Sequence, residues 1–155
     1  MNNLRTIKAR HANGNIEECS VRIERHPHKL FFSGVGFQER EFSSGDLFDA
    51  LMLLRIELER MNVQLLCNGA RRDVFPSGMC RDMGHGGSAY IMKLGRPALP
   101  TDLVDIFDYS EDPSLGSVSE QQDFYRKWRS HHENEIWSRS YEEVLARYLK
   151  SKGSE

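Results

Sequence analysis

The sequence predicts an α+β fold, a mostly antiparallel five- to six-stranded sheet with one helix packed on it and C-terminal helices. Three patterns lead to this prediction. Residues 17–25 alternate apolar and polar side chains, as a strand with one buried face does. Residues 47–61 carry apolar side chains at spacings of three and four, and the chain after Ser117 returns to that helical spacing. A length of 155 residues suits a single domain, residues 1–155, with a disordered tail at about 151–155.

The N-terminal part predicts three antiparallel strands. The first is expected at residues 4–11, and the Asn-Gly dipeptide at 13–14 accepts the positive φ angles of a tight hairpin turn. The alternating strand at 17–25 follows this turn. Pro27 cannot donate a hydrogen bond to a ladder, so we expect the chain to turn there before a third strand at 30–35.

A helix is predicted from Ser43 to about Met61. Ser43 is followed three residues later by Asp46, which resembles a capping box, and the acidic start suits the helix dipole. The apolar stripe consists of side chains that recur every three or four residues, namely Leu47, Leu51, Leu54, Leu58 and Met61. This stripe should pack on the sheet.

The sequence from residue 63 onward predicts short strands followed by helices. Apolar, β-prone runs indicate strands at residues 63–67, 89–94 and 103–107. Ser117 and Glu120 then form a second capping box. One face of the following helix carries side chains four apart, namely Phe124, Trp128, His132 and Ile136. A last helix is expected from Ser140, with aligned aromatic and apolar side chains at Trp137, Tyr141, Val144, Leu145 and Tyr148.

Composition narrows the classes of function. The formal net charge of −2 disfavours a nucleic-acid binder, because such proteins usually carry surplus Lys and Arg, and a basic partner is better tolerated than an acidic one. No apolar run approaches the roughly 20 residues that a membrane-spanning helix needs. The N-terminus also lacks the apolar stretch of a signal peptide. We therefore expect a soluble cytoplasmic protein without a membrane partner.

Residues 68–88 are the most unusual segment, since they hold five of the twelve glycines. Glycines let backbone amides approach a ligand, and arginine side chains present forked donors to carboxylates and phosphates. The candidate ligand- or partner-binding residues here are Arg71, Arg72, Asp73, Arg81, Asp82 and His85. The alternative is a surface loop whose glycines make tight turns and whose Arg and Asp side chains pair with each other. A phosphate-binding loop is excluded, since the sequence has no GxxxxGK[ST] motif.

The cysteines indicate neither a disulfide nor a metal site. Cys19 and Cys67 lie in strand-like runs and should be small core residues, whereas Cys80 is expected to be an exposed loop residue. A nucleophilic set of Cys80, Asp82 and His85 is conceivable, but such groups normally come from distant segments. Zinc ligation would need Cys67, Cys80 and His85 with His131 or His132, without any CxxC clip. We predict no metal, no cofactor and no catalytic residues.

An acidic stretch overlaps the last predicted strand and continues beyond it. Its carboxylates belong to Asp102, Asp105, Asp108, Glu111 and Asp112. Aromatic anchors among carboxylates, here Phe107 and Tyr109, are suited to a basic protein partner. The alternative is a solvated strand edge protected by its charges.

Residues 65–95, LLCNGARRDVFPSGMCRDMGHGGSAYIMKLG, resemble a pattern in small bacterial proteins similar to immunity proteins of contact-dependent or polymorphic toxin systems. The resemblance implies a cytoplasmic protein that binds and blocks one toxin domain, and the acidic stretch suits a basic one. It carries over no specific binding residues. The competing hypotheses are a small enzyme or binder of an anionic small molecule that uses residues 68–88, and a self-associating protein that uses the C-terminal aromatic side chains.

Overall fold

The computed structural model describes residues 3–138 and residue 150, with only the backbone of residues 132–138. The α+β class is confirmed, but the strands form two antiparallel sheets instead of one. The strands are β1 Leu4–Arg10, β2 Ile16–Arg25, β3 His28–Gly34, β4 Phe37–Ser43, β5 Gln64–Leu65, β6 Val74–Phe75, β7 Ser88–Ile91 and β8 Leu103–Asp105. The α-helices are α1 Leu47–Glu59, α2 Gly78–Met83 and α3 Val118–Ser138, and 3₁₀ turns occur at Asn68–Ala70 and Pro100–Asp102. The helix predicted from Ser140 lies outside the described residues.

The larger sheet has five strands in the order β4-β3-β2-β1-β5. Its alternation places one set of side chains on the face that packs against α1, so that Ile7 lies opposite Cys19 and Val21 opposite Phe32, all four buried. The other face carries the polar partners of these residues. The alternation at residues 17–25 therefore identified both the strand and its buried face.

Strand β4 was not predicted. It pairs with β3 through Leu30 and Phe42 after a turn in which Val35 has a φ of 53°, a left-handed value that is uncommon for a β-branched residue. Residues 38–41 are polar and exposed, so the strand lacks the apolar alternation that marks a buried strand. As the edge of the sheet, β4 buries Phe42 and packs Phe37 partly against the core, and its charges oppose pairing with another chain.

Helix α1 begins three residues later than predicted, because its N-cap is Asp46 and not Ser43. The Asp46 carboxylate accepts a hydrogen bond from the Asp49 amide over 2.8 Å. The predicted stripe is largely confirmed, since all four of its leucines are buried. Met61 lies beyond the end of the helix and is exposed.

The smaller sheet has the order β6-β7-β8. It contains two of the predicted later strands, both shorter than expected, together with β6 from within the glycine-rich segment. An isolated bridge between Cys67 and Tyr109 links the chain after β5 to the chain after β8. Val74, Ala89 and Ile106 belong to the same hydrophobic core as the larger sheet and α1.

The capping box before α3 is confirmed. The Ser117 hydroxyl accepts from the Glu120 amide over 3.0 Å, and the Glu120 carboxylate accepts from the Ser117 amide over 2.9 Å. The bond from the Ser117 amide, and to a smaller extent the Ser117 side chain, lower the pKa of Glu120. The helix start is therefore well defined by local chemistry.

Candidate functional site

Residues 68–88 form ordered structure instead of a long loop, since they include a 3₁₀ turn, β6 and α2. Two of their glycines are needed for close packing. A Cβ on Gly69 would lie 2.5 Å from a methyl carbon of Leu51, and one on Gly86 would lie 2.8 Å from the Asp46 carboxyl carbon. Gly86 also has a φ of +74°. These glycines bring the segment onto α1, a packing role that needs no ligand.

Arg71 is engaged within the protein. Its guanidinium donates two hydrogen bonds of 2.8 Å to the Asp73 carboxylate and lies 3.5 Å from Asp112. The bonds to Asp73 raise the pKa of Arg71. The structure therefore brings together three of the predicted site residues, but as a set of mutually neutralising charges. Arg72 beside them is exposed.

Arg81 anchors α2 to the beginning of α1. Its Nη1 donates to Asp46 over 2.7 Å and to Asp49 over 3.0 Å. The guanidinium carbon also lies 5.5 Å from the ring centroids of Phe48 and Phe75. Arg71 and Arg81 thus bind different carboxylates in different parts of the segment. A common anion site formed by both arginines gains no support from these contacts.

The thiol set of Cys80, Asp82 and His85 is not assembled by hydrogen bonds. His85 instead bonds to His28, with 2.9 Å between His85 Nδ1 and His28 Nε2. Cys80 is buried on α2, so the expectation of an exposed loop cysteine was wrong: the segment folds into a helix with Cys80 on its inner face. Asp82 is exposed on the same helix.

Cys19 and Cys67 are buried core residues, as predicted. Burial raises the pKa of the Cys19 thiol to about 12 and that of the Cys67 thiol to about 11. Both groups are therefore thiols and not thiolates near neutral pH. Within the described part of the chain, no group of three or more His, Cys, Asp or Glu side chains is arranged to hold a metal ion.

The acidic stretch carries fewer unpaired charges than its composition suggests. Asp105 and Asp108 both bind Arg5, with shortest distances of 2.8 Å and 2.6 Å. Asp102 binds Arg96 over 2.9 Å and accepts from the Leu99 amide. Glu111 is exposed and accepts a hydrogen bond from the Tyr109 hydroxyl, and this bond raises the pKa of Tyr109. The stretch is thus tied to β1 and to its own turns instead of forming an open acidic patch.

A buried polar network behind the segment was not predicted. Arg55 of α1 is only 3% exposed and donates to the carbonyls of Gly69 and Gly116, each over 3.0 Å, and to Gln121. Gln121, fully buried on α3, donates to the carbonyls of Gly69, Arg71 and Val74. The network fastens residues 69–74 to both helices. The sequence offered one signal, an arginine within the apolar stripe of α1.

The exposed face of α2 is the strongest candidate surface in the segment. Met79 and Met83 are 69% and 78% exposed, the largest exposed fractions among the large apolar side chains described. They are four residues apart and so lie on one face of the helix, with Asp82 between them. Among the described residues, Asp82 makes no ion pair. The surface, called here the α2 face, thus combines two apolar side chains with one carboxylate.

The α2 face rests on a rigid support. The Ser77 hydroxyl accepts from the Cys80 amide over 3.1 Å and caps the helix, while Cys80 and Arg81 attach it to the core and to α1. Phe75, just before α2, stacks on Tyr125 of α3 with 4.0 Å between ring centroids. Helix α2 is therefore held in place from both sides.

Fold and site together define an α+β protein of two antiparallel sheets that presents a short helix with an exposed, methionine-bearing face. No known family model matches the chain, and a search of curated proteins finds no match either. Among the described residues, no helix is long and apolar enough to cross a membrane.

Proposed function

We propose that this protein is a protein-binding module that contacts its partner through the α2 face, and that the partner is a basic bacterial toxin domain which it neutralises. The observation that carries the proposal is the exposure of Met79 and Met83 on a helix that is otherwise anchored. Methionine is enriched at protein interfaces, because its flexible thioether adapts to the surface it meets. Burying the two side chains on association would remove apolar area from water.

Rigidity supports this function. An interface side chain presented by a fixed element loses little backbone entropy on binding, so more of the contact energy appears as affinity. The Ser77 cap, the buried Cys80 and the Arg81 bonds to Asp46 and Asp49 provide this fixation. A mobile loop would lack this advantage.

Charge selects the kind of partner. Asp82 lies between the two methionines and would be left without a counter-charge unless the partner supplies one. A Lys or Arg in the partner would pair with it, and the net charge of −2 favours encounter with a basic domain. The resemblance of residues 65–95 to proteins similar to toxin-neutralising immunity proteins implies that this partner is a toxin domain.

The decisive experiment pairs this protein with the product of the gene directly upstream of its own. We expect a stable complex by isothermal titration calorimetry, and rescue of growth when both are co-expressed. The double variant Met79→Ser, Met83→Ser should weaken binding about 30- to 1,000-fold, since each truncated interface anchor costs on the order of 1–2 kcal/mol. Asp82→Asn should slow association and reduce its salt dependence.

Met61→Ser is the matched control, because Met61 is an exposed methionine, 46% exposed, in the turn after α1 and not on α2. It should bind like the parent protein. Equal loss of affinity in the control and in the double variant would remove the α2 face from the proposal. Absence of both binding and rescue with the upstream gene product would count against the toxin partner.

A further inference from the structure

Three histidine rings meet where the β2–β3 turn approaches the chain after α2. The centroid of the His85 ring lies 5.0 Å from that of His28 and 5.5 Å from that of His26. The hydrogen bond between His28 Nε2 and His85 Nδ1 needs one nitrogen to donate and the other to accept. It therefore exists only while at least one of the two rings is unprotonated.

The charges around this pair are mostly positive. Arg25 and His26 face it from the β2–β3 turn and, together with partial burial and His28, lower the pKa of His85, burial contributing most. On the α1 side the nearby carboxylates are Asp46 and Asp49, and both are already bound to Arg81. Adding protons to both rings would thus place two more cations beside Arg25.

The chain at His85 connects several elements. The His85 carbonyl accepts from the Leu47 amide at the start of α1 over 2.8 Å. The Gly86 amide donates to the Cys80 carbonyl in α2 over 3.0 Å, and the Gly87 carbonyl accepts from the Ile106 amide after β8 over 3.1 Å. A change in the position of His85 would therefore reach the end of α2 and the beginning of α1.

We propose that His28 and His85 form a pH-sensitive latch. With at least one ring neutral, their hydrogen bond holds residues 84–87 against the β2–β3 turn. When both rings carry protons, repulsion among His28, His85 and Arg25 opens this contact. Because α2 ends immediately before these residues, opening of the contact should disturb the α2 face. That this disturbance affects binding rests on the proposed function.

The direction of the pH dependence follows from the lowered pKa of His85. The open or unfolded chain, with the usual histidine value of 6.5, binds more protons than the closed form between that value and the lowered one. The closed form is therefore most stable above about pH 6.5 and loses stability as the pH falls through this window. Above this window, the stability of the closed form does not change with the protonation of His85.

Hydrogen exchange of the Leu47 amide at about pH 7.5 and about pH 5 measures the latch without any partner. After correction for intrinsic exchange rates, we expect protection to fall about tenfold or more in the parent protein at the lower pH. His85→Asn removes the titrating ring while retaining a residue that tolerates the φ of 57° found at this position. In this variant the corrected protection should be the same at both values of pH.

His131→Asn is the control, since His131 is exposed on α3 and its ring bonds to the Lys127 carbonyl one turn earlier. It should reproduce the pH dependence of the parent protein. If His85→Asn fails to fold, His28→Gln provides the same comparison. Protection of Leu47 that does not change with pH in the parent, or that falls equally in the His85 variant, would overturn the latch.

Binding measurements separate this inference from the proposed function. If the upstream gene product binds only above the transition, the latch controls the α2 face. If it binds equally at both values of pH while hydrogen exchange of the Leu47 amide changes, the latch exists but does not affect the α2 face. This result overturns only the coupling between the latch and the α2 face. If no binding occurs at any pH, the proposed function fails, and exchange at Leu47 still decides the latch.

Discussion

Arg55 of α1 donates to Gln121 of α3 over 2.7 Å in the interior, where neither side chain contacts solvent appreciably. Burial lowers the pKa of Arg55, but the guanidinium of arginine stays charged in proteins. Its hydrogen bonds go to an amide oxygen and two backbone carbonyls. Removing one acceptor of such a buried, charged group strongly destabilises the folded protein.

Gln121→Ala should therefore lower the free energy of unfolding by about 3 kcal/mol. The change removes one acceptor of Arg55 and the donor to the carbonyls of Gly69, Arg71 and Val74. Urea denaturation followed by circular dichroism measures the effect. Gln122→Ala is the control, since the Gln122 amide has only a weak contact of 3.7 Å with the Met52 sulfur, and it should cost less than about 1 kcal/mol. An equal loss of unfolding free energy in the two variants would show that the buried network contributes little to stability.

Gly86→Ala should destabilise the protein by about 3 kcal/mol, from backbone strain plus a steric conflict with Asp46. The added Cβ would lie 2.8 Å from the Asp46 carboxyl carbon at a φ of +74°. Gly14→Ala separates the two causes, because Gly14 has a φ of +88° with nothing within 4 Å of the added atom. It should cost about 1 kcal/mol, the strain alone. Similar thermal shifts for both variants would mean that the close approach to Asp46 is easily relieved.

Glu17 should make stability depend on pH in the acidic range. Its pKa is lowered below the usual 4.5, first by the hydrogen bond from the Val35 amide and then by the bond with His11. A lowered carboxyl pKa stabilises the fold above the unfolded value, and this contribution is lost as the pH falls through the folded value. Glu17→Gln should therefore be less stable than the parent at about pH 6, with the difference shrinking toward pH 3.

Urea midpoints measured across this range test the prediction. Glu18→Gln is the control, because Glu18 is the exposed neighbour in β2. It should leave the pH dependence unchanged. A constant difference between the parent and the Glu17 variant from pH 6 to pH 3 would contradict the assigned role of Glu17.

Cys19 and Cys67 should react slowly with a thiol reagent at about pH 8, because burial restricts access and raises the pKa of each thiol. In urea all three cysteines of the chain should react rapidly. Absorbance of the released thiolate from Ellman's reagent gives both rates. Cys19→Ser identifies the contribution of that residue, and fast native labelling of Cys19 or Cys67 would contradict their burial.

Local patterns predicted the elements whose signals lie within a few neighbouring residues. The alternation at 17–25, the leucine stripe of α1 and the Ser117–Glu120 capping box all led to correct elements. Strand β4 was missed because its residues 38–41 are polar, and the strand depends on pairing with β3 instead of on its own burial. Short strands such as β6 likewise depend on their neighbours.

The candidate site was harder to predict, because it depends on contacts between residues far apart in sequence. The composition of residues 68–88 singled out the segment that contains the α2 face. It could not show that Arg81 binds Asp46, that His85 binds His28, or that Arg5 binds two aspartates of the acidic stretch. Each of these contacts joins side chains on different elements, so the spacing of apolar residues along the sequence does not indicate them.

The sequence by itself determined the α+β class, the buried face of the long strand and the helical stripe, because apolar spacing and caps act within one element. Only the tertiary structure decided which charges are neutralised and which side chains remain available. It paired Arg71 and Arg81 of the glycine-rich segment with carboxylates and left Met79, Asp82 and Met83 exposed. The physical reason is that pairing and exposure depend on how elements pack, and composition alone does not specify that packing.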